Sequence, residues 1–440
     1  MSRSASEVSV VTVNWNGQDH LTRLLPSLMT LGVREVIVVD NGSTDGSRSF
    51  VRRHYPQVQL LENQVNRGFA QPSNLGARQA QGRYVAFINN DMRAHANWID
   101  AALTHLSPEV PCVASRILDW EGHRVDFNGS SLQYLGYALQ KDQGKLLEEV
   151  SHSEQILFPC GGAMLIEREV FLQLGGFDPD FFALFEDVDL GWRLWIAGFA
   201  VALAPESIVY HRGHATLATQ ANEKTRYLMH RNALLTIMKN YEEENFRKVL
   251  PLAILLALKR SVRSSGVKKE SFYLWSQTRH RLRAEDPTMQ AQLIDSLNHL
   301  VALDDALQLL PRTLEKRRQI KALRRRSDAQ IATLFGDPFR AIVEDPLYLK
   351  EELEYLEMVD LGSLFDLSDS AATLETLPSE LREKVRTLES ELKALQWLGT
   401  QALLRPPAPE SRIQRFFSSW RTQGFQVACR RLVEYLNRAV

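Results

Sequence analysis

Three carboxylates fall within four positions in the segment EDVDL, at Glu186, Asp187 and Asp189. Crowding of like charges raises the pKa of one of them, and a carboxylate near a bound phosphate can accept a proton from an attacking hydroxyl. The acids also precede an amphipathic helical pattern, and the helix dipole favours acids at a helix N-terminus. The segment therefore predicts either a general base or an ordinary helix start, and it leaves both open.

A second acidic position ends a buried apolar run, in the tripeptide Asn89-Asn90-Asp91. Mg²⁺ and Mn²⁺ take oxygen ligands and often share them with substrate phosphates, so Asp91 is a candidate metal ligand. The two asparagines could hydrogen-bond a sugar hydroxyl. The alternative is that Asp91 caps the next helix, around residues 97–103. His211 also ends a β-branched run, although a lone histidine is more often structural than a ligand.

Polar side chains end the first two apolar runs of the sequence. Trp15, next to Asn14, could stack on a nucleobase. A side-chain oxygen at Asp40 or Asn41 could accept a hydrogen bond from a pyrimidine N3–H. Turn formation is the alternative for these positions, because Asp, Asn, Gly and Ser favour turns in any case.

Apolar β-branched runs alternate with amphipathic runs over the first ninety residues or so. We predict strands in 8–15, 34–47, 58–63 and 83–91, and helices in 20–31, 47–55 and 72–80. This order predicts a parallel sheet with helices on both faces. Ligands bind at the carboxyl ends of strands in such sheets, so the loops NWNG, DNGSTDG, ENQVNRG and NND should meet at one edge.

The second half of the chain is predicted to be helical from about residue 222. The apolar run 249–258 is too short for the roughly 20 residues of a membrane span, so it is a core helix or lies at a membrane surface. The basic run 316–326 could meet anionic lipid headgroups or a lipid-diphosphate acceptor, or it forms a solvated face. We predict domains at 1–240, 241–335 and 336–440, the second and third helical.

The last hundred residues carry weaker patterns. Residues 336–348 and 405–410 resemble linkers, and 381–398 has an a/d seam of under three heptads, which favours a helical hairpin or a bundle edge. Phe416, Phe417 and Trp420 lie in an aromatic, basic tail that could contact a membrane or mediate dimerisation.

The overall charge is nearly balanced, with 52 Lys plus Arg against 53 Asp plus Glu, which argues against a nucleic-acid partner. Cys112, Cys160 and Cys429 are scattered, which fits a reducing compartment. The N-terminal stretch is a poor signal peptide. We therefore expect a cytoplasmic protein, with peripheral contact to the inner face of the membrane and homo-oligomerisation left open.

Five stretches of the sequence, in the same order, resemble family 2 glycosyltransferases of the GT-A fold, especially their rhamnosyltransferase-like branch. They are VSVVTVNWNG, VIVVDNGSTDGS, NRGFAQPSNLGARQAQGRYVAFINND, GGAMLIEREVFLQLGGFDPDFFALFEDVDLGWRLWIAG and VYHRGHAT. The resemblance implies an α/β GT-A fold, with a Rossmann-like, mostly parallel sheet and helices on both faces, followed by a helical C-terminal region.

The resemblance also implies an activity. The chain would move a sugar, with inversion, from a dTDP- or UDP-linked donor to a saccharide or lipid-linked acceptor in cell-envelope polysaccharide synthesis, with Mg²⁺ or Mn²⁺ as cofactor. Two alternatives are a nucleotidyltransferase and a non-catalytic nucleotide-sugar-binding scaffold. The first usually needs a Gly-rich, Arg-containing loop after the first strand, which NWNGQDHL lacks. The intact EDVDL segment and Asp91 argue against the second.

Roles for single residues follow from the resemblance. Asp187 matches the catalytic base, with Glu186 and Asp189 supporting it and Arg193 balancing the charge. The implied metal ligands are Asp91 and His211, and Gly161 and Gly162 would lie beside the acceptor and the donor sugar. The implied contacts to the donor nucleotide are Asn14, Trp15, Asp40, Asn41, Gly68, Asn74 and Asn90.

The sequence departs from the family pattern at two places. The metal motif reads NND, so only one of its acids is present. The usual Gly-Asn-rich turn is replaced by Gln71-Pro72-Ser73-Asn74, which leaves only Asn74 and Gly76 matching.

Overall fold

The computed structural model describes residues 3–152, 154–212, 223–265, 287–343 and 345–365. The chain divides into two compact units, Met1–Ile342 with Leu361–Phe365, and Val343–Asp360 with Asp366–Val440. The predicted domain boundaries near residues 240 and 335 stay predictions. The patterns at 381–398 and 405–410, the aromatic tail and Cys429 lie outside the described residues.

The first four strands form a parallel sheet, as the sequence predicts. They are β1 Val8–Asn14, β2 Glu35–Asn41, β3 Gln59–Asn63 and β4 Tyr84–Ile88, in the order β3-β2-β1-β4. The connecting helices are α1 Gln18–Met29, α2 Ser47–His54 and α3 Ala70–Gln79. β1 and β2 are buried along nearly their whole length, which explains their apolar, β-branched composition. The apolar stripe of α1 is buried through Leu21, Leu24, Leu25 and Leu28.

The second half of the sheet has mixed strand directions. Its strands are β5 Met92–Ala94, β6 Cys112–Asp119, β7 Val125–Phe127, β10 Ala163–Glu167 and β11 Val201–His211, and β8 Ser130–Leu132 pairs with β9 Ala138–Gln140 in a separate hairpin. Among the described residues, the main sheet runs β3-β2-β1-β4-β10-β6-β11-β5, with β7 beside β6. β10 is antiparallel to both neighbours, whereas β6 and β11 are parallel. The predicted α/β GT-A fold is confirmed.

Three short helices lie between the strands of this half of the sheet, and the described elements from residue 223 onward are helices. The first set is α4 Trp98–Thr104, α5 Arg168–Gln173 and α6 Glu186–Ile196. The second set is α7 Glu223–Asn240, α8 Glu243–Ser264, α9 Pro287–Gln308, α10 Leu310–Leu323 and α11 Asp328–Ala332. In the second compact unit, α12 covers Pro346–Met358.

The apolar run 249–258 lies within α8. Val249, Leu250, Leu252 and Leu256 are buried there, so the interpretation as a core helix is confirmed. No helix in the described ranges has the length and apolarity that crossing a membrane requires.

The basic run 316–326 is largely engaged inside the protein. Lys316 contacts Asp178 and Asp180, and Arg317 pairs with Glu243. Arg324 pairs with Asp328 at 3.1 Å, and Arg326 lies over the ring of Trp195. These four cations have partners within the protein, whereas Arg318, Lys321 and Arg325 of the same run are exposed. The two predictions for the run, a solvated face and contact with anionic headgroups, both stay predictions.

Candidate active site

The four polar loops at the carboxyl ends of β1 to β4 meet, as predicted. Asn14 is the junction, because its amide donates to Asp40 Oδ2 at 3.4 Å and its Oδ1 accepts from Asn90 Nδ2 at 2.9 Å. Asn41 extends the contact to the loop after β3 by donating to the carbonyl of Gly68 at 2.7 Å. Hydrogen bonds thus join the loops at one edge of the sheet.

Asp40 and Asn41 are buried beneath this edge. Asp40 Oδ1 accepts from Arg48 Nε at 2.6 Å and from the backbone N–H of Ser43 at 3.0 Å. Burial raises the pKa of Asp40, but hydrogen bonds from Ser43 and Arg48 outweigh it and hold that pKa below its usual range. Both side chains fix the loops from inside, and their reading of a base stays a prediction. Trp15, by contrast, is 54% exposed.

Asn74 and Gly68 both contact the backbone of distant residues in this structure. Asn74 is buried in α3, donates to the carbonyl of Phe177 at 2.6 Å and accepts from the N–H of the same residue at 2.9 Å. Gly68 has a φ of +80°, and a Cβ there would lie 2.1 Å from the carbonyl oxygen of Phe182. Only glycine fits at position 68, and the contacts of both residues with the donor stay predictions.

The two predicted metal ligands lie together. Asp91 Oδ2 is 3.2 Å from Nε2 of His211, at the end of β11. Nδ1 of the same imidazole is 2.5 Å from Oδ2 of Asp126, in β7. Burial disfavours the charged form of His211, but hydrogen bonds to Asp126 and Asp91 outweigh burial and raise the pKa of the imidazole to about 10. The protonated ring thus supplies positive charge between two carboxylates.

The chemistry of these side chains fits a divalent cation. Oδ1 of Asp91 is buried and has no hydrogen-bond partner within the described part of the chain. Asp126 holds the far nitrogen of His211, as carboxylates commonly do for metal-binding histidines. No group of three or more His, Cys, Asp or Glu side chains suited to a metal occurs in the described ranges. A Mg²⁺ or Mn²⁺ ion that is also coordinated by diphosphate and water needs only one or two protein carboxylates. Nε2 of His211 can bind such an ion only after it has lost its proton.

The alternative role of Asp91 as a helix cap is wrong. Strand β5 follows Asp91, and α4 begins only at Trp98 with Asn97 in the cap position. The carboxylate is therefore placed by the end of β4 and by β11, whose neighbour Arg212 donates its N–H to the carbonyl of Asp91 at 3.0 Å.

Asp187 is joined to the metal motif through a pair of glycines. The N–H of Gly161 donates to Asp187 Oδ2 at 2.7 Å, and the N–H of Val188 donates to Oδ1 at 2.8 Å. The carbonyl of Gly162 accepts from the N–H of Asn89 at 3.0 Å. A Cβ at Gly162 would lie 2.5 Å from Asn89 Nδ2, so a larger residue there would displace the Asn89 side chain. Two adjacent residues therefore hold the start of α6 beside the end of β4.

The three acids of the EDVDL segment have different surroundings. Burial raises the pKa of Asp187, against the two backbone hydrogen bonds. Burial, Asp187 and Asp189 together raise the pKa of Glu186 well above its usual range, and Glu186 Oε2 is buried with no partner in the described chain. Asp189 is fully buried but pairs with Arg193 and with Lys239 of α7, both at 2.8 Å. Arg193 therefore balances the charge of Asp189, and its supporting role in the reaction stays a prediction.

Sequence reasoning missed two residues that complete these groups. Asp126 lies in a three-residue strand, which is too short to show a period, and it meets His211 from 85 positions away. Lys239 is one of several cations on a helix whose pattern gives no sign of a buried ion pair. No local signal in the sequence marks either contact.

Comparisons with known proteins identify relatives of this sequence. The sequence model described as Glycosyl transferase family 2 matches residues 9–175. An N-acetylglucosaminyl-diphospho-decaprenol L-rhamnosyltransferase of Mycobacterium tuberculosis is 30% identical over 235 residues, which cover 47% of this chain and 76% of that protein. The O-antigen biosynthesis protein RfbC of Myxococcus xanthus is 28% identical over 51% of this chain and 19% of its own length.

Solved structures are more distant. A mannosyltransferase from Pyrobaculum calidifontis, in complex with GDP-Man and Mn²⁺, superposes with a TM-score of 0.41 and 17% identity, over 68% of this chain and 87% of that one. A score this low does not by itself establish a common fold. The family assignment follows instead from the matched sequence model and from the 30% identity across three quarters of the mycobacterial protein. The chain belongs to glycosyl transferase family 2.

Proposed function

We propose that the chain transfers a sugar, with inversion at the anomeric carbon, from a dTDP- or UDP-linked donor to a saccharide or lipid-linked acceptor in cell-envelope polysaccharide synthesis. The half-buried carboxylate of Asp187 carries the proposal, because its pKa is raised and no cation pairs with it among the described residues. The names of the mycobacterial and Myxococcus relatives, which refer to a lipid-diphosphate acceptor and to O-antigen, support the acceptor class.

Asp187 acts as the general base in this proposal. The oxygen of the acceptor hydroxyl attacks the anomeric carbon, its proton passes to an Asp187 oxygen, and the bond to the diphosphate breaks with its electrons leaving on the nucleotide. The N–H groups of Gly161 and Val188 fix the orientation of the carboxylate. Burial and the neighbouring acids raise the pKa of Glu186, whereas the carboxylate of Asp187 is the one held by two backbone N–H groups, so Asp187 is the member of the pair assigned as the proton acceptor.

Other residues would bind and orient the donor. Trp15 is exposed next to the joined loops, where its ring can stack on a base. Asn90 lies beside Asn14 at the same edge and can reach the ribose side of the nucleotide. Asp91 and His211 would hold a divalent cation. When bound, Mg²⁺ or Mn²⁺ stabilises negative charge on the departing diphosphate.

A binding and transfer assay on the full chain tests the proposal. Thermal shift would be measured with UDP, dTDP and GDP, each with Mg²⁺, Mn²⁺ or EDTA, followed by transfer from the matching nucleotide sugar to a prenyl-diphosphate-linked N-acetylglucosamine. We expect a metal-dependent shift with UDP or dTDP, and a glycosylated product by mass spectrometry. Nucleotide binding without transfer or donor hydrolysis would support the scaffold alternative. Pyrophosphate release from a nucleoside triphosphate and a sugar phosphate would support the nucleotidyltransferase.

The role of Trp15 is tested in the same binding assay. Trp15→Ala should weaken binding of the nucleoside diphosphate roughly tenfold, because stacking on a base contributes about 1–3 kcal/mol. Val262→Ala is a matched control, since Val262 is similarly exposed (59%) but lies in α8. Equal affinities for wild type and Trp15→Ala would exclude Trp15 from the base site.

A further inference from the structure

The loop that leads into α6 has an unusual backbone. Phe182, Leu184 and Phe185 all have positive φ angles, of 65°, 69° and 70°. Side chains with a Cβ rarely adopt this region, and such residues persist only where surrounding contacts enforce them. Phe185 is the N-cap residue of α6, so the loop ends directly at Glu186 and Asp187. Something outside the loop must hold it in this conformation.

Asn232 of α7 supplies that hold. It is fully buried, and its Nδ2 lies 3.0 Å, 2.9 Å and 2.6 Å from the carbonyl oxygens of Phe181, Ala183 and Leu184. One amide group thus contacts three of the four carbonyls between positions 181 and 184. Carbonyls turned away from water need hydrogen-bond donors, and this side-chain amide supplies a donor to these three.

Arg231 orients Asn232 and extends the contact. Its Nε donates to Asn232 Oδ1 at 3.0 Å, and its Nη2 donates to the carbonyls of Asp180 and Phe181 at 3.0 and 2.8 Å. Its Nη1 pairs with Asp305 of α9 at 3.0 Å. The guanidinium therefore connects the loop, Asn232 and the helical region in one buried network.

The same loop also touches the predicted donor loop. The one carbonyl that Asn232 does not contact, that of Phe182, accepts from the N–H groups of Phe69 and Ala70 at 2.6 and 3.3 Å. It is also the oxygen that a Cβ at Gly68 would strike. Residues 180–185 therefore bridge the loop after β3 and the first turn of α6.

We propose that Asn232, oriented by Arg231, is a positioning residue for glycosyl transfer. It holds residues 180–185 in a conformation in which three of them have positive φ, and that conformation sets Asp187 relative to the donor loop at Gly68. Neither residue touches the reacting atoms. Both lie in α7, so that helix becomes part of the catalytic architecture although it makes no contact with the reacting atoms. This inference rests on the proposed function of Asp187.

Variants of Asn232 in the full chain test the inference. Asn232→Ala should lower kcat about 10²-fold, because displacing a reacting group by roughly 1 Å costs that much. The Kd for the nucleoside diphosphate, whose base is bound at β1, should stay unchanged. Asn232→Asp should lower kcat at least as far, because it faces three carbonyls with a carboxylate. Arg231→Lys should have a smaller effect, and it provides a second measurement if the Asn232 variants do not fold.

A rescue experiment separates positioning from a merely structural role. Glycine adopts positive φ without steric cost, so Leu184→Gly should restore part of the kcat lost in Asn232→Ala. Thr236→Val is the matched control, since the buried Thr236 hydroxyl donates only to the carbonyl of Asn232 within α7. It should change stability but not kcat.

Three outcomes would overturn the inference. One is wild-type kcat in a folded Asn232→Ala variant, another is an equal kcat loss in Thr236→Val, and the third is a Leu184→Gly change that deepens the loss. An inactive wild type would instead reject the proposed function itself, so the two failures are distinguishable.

Discussion

The three acids at the start of α6 lie within one helical turn, but Asp189 has surroundings opposite to those of Glu186 and Asp187. Asp189 is fully buried between Arg193 and Lys239. Burial raises its pKa, but the two cations outweigh burial and hold that pKa below its usual range. Glu186 and Asp187 have raised pKa values, and none of the described Lys or Arg side chains pairs with them. The same helix turn therefore contains one neutralised acid and two acids without a cation.

The difference in surroundings indicates a structural role for Asp189 and a catalytic role for Asp187. Asp189 belongs to a buried ion network that also contains Asp178, Arg193, Lys239 and Lys316, and that joins α6 to α7 and α10. Acids without a cation partner in a buried setting destabilise a fold, so their presence indicates a use in reaction. We therefore expect substitutions of Asp187 to affect turnover first, and substitutions of Asp189 to affect stability first.

The largest expected effect is on turnover. Asp187→Asn removes the proton acceptor and retains the shape of the side chain, so kcat should fall by about 10³-fold or more, within the contribution usual for a general base. Nucleotide affinity should be retained. The measurement is steady-state transfer with saturating donor, together with a binding titration.

A matched control for Asp187 is available in α4. Asp100 is an acid in the first turn of that helix, as Asp187 is in α6, but it is exposed. Asp100→Asn should leave kcat unchanged, because only the general helix-dipole effect is lost. Near-normal turnover in Asp187→Asn would contradict the role of Asp187 as the general base.

The second effect is on stability. Asp189→Asn leaves Arg193 and Lys239 buried with less negative charge, so the free energy of unfolding should fall by about 3–5 kcal/mol. Denaturant unfolding measures it. Glu243→Gln is the control, since Glu243 pairs with Arg247 and Arg317 while half exposed, and such pairs contribute about 0–1 kcal/mol. A loss for Asp189→Asn no greater than for Glu243→Gln would contradict the supporting role.

Local sequence patterns were sufficient for the sheet edge but not for these electrostatic differences. β-branched runs predicted β1 to β4, and parallel order then required their polar ends to meet at Asn14, Asp40 and Asn90. The EDVDL segment also indicated crowded acids. Whether each acid is neutralised depends on side chains far along the chain: Lys239 reaches Asp189 across 50 positions, and no period in the sequence encodes that contact.

The same limit applies to residues whose protein partners the sequence did not indicate. The oxygens of Asp40 and Asn41 accept hydrogen bonds from Arg48 and from the backbone of the loop after β3, and their reading of a base stays a prediction. Asn74 pairs with Phe177 across 103 positions, and its contact with the donor also stays a prediction. Residue type predicted polarity at these positions, whereas tertiary packing decided which partner each polar group meets.

The smallest expected effect is the pH dependence of Glu186. Because its pKa is higher in the folded chain than the ordinary 4.5, the folded state binds the proton more tightly. This contribution to stability is therefore fully present below pH 4.5 and is lost as pH rises through the folded-state pKa. Glu186→Gln should raise the melting temperature at pH 8 by about 2–4 °C, the shift expected from roughly 1 kcal/mol in a domain of this size. At pH 5 the difference in melting temperature between Glu186→Gln and wild type should shrink.

Asp189→Asn should show the opposite trend, with its destabilisation decreasing as pH falls, because the folded-state pKa of Asp189 is lowered. Parallel pH trends for the two variants would show that both acids have the same electrostatic role.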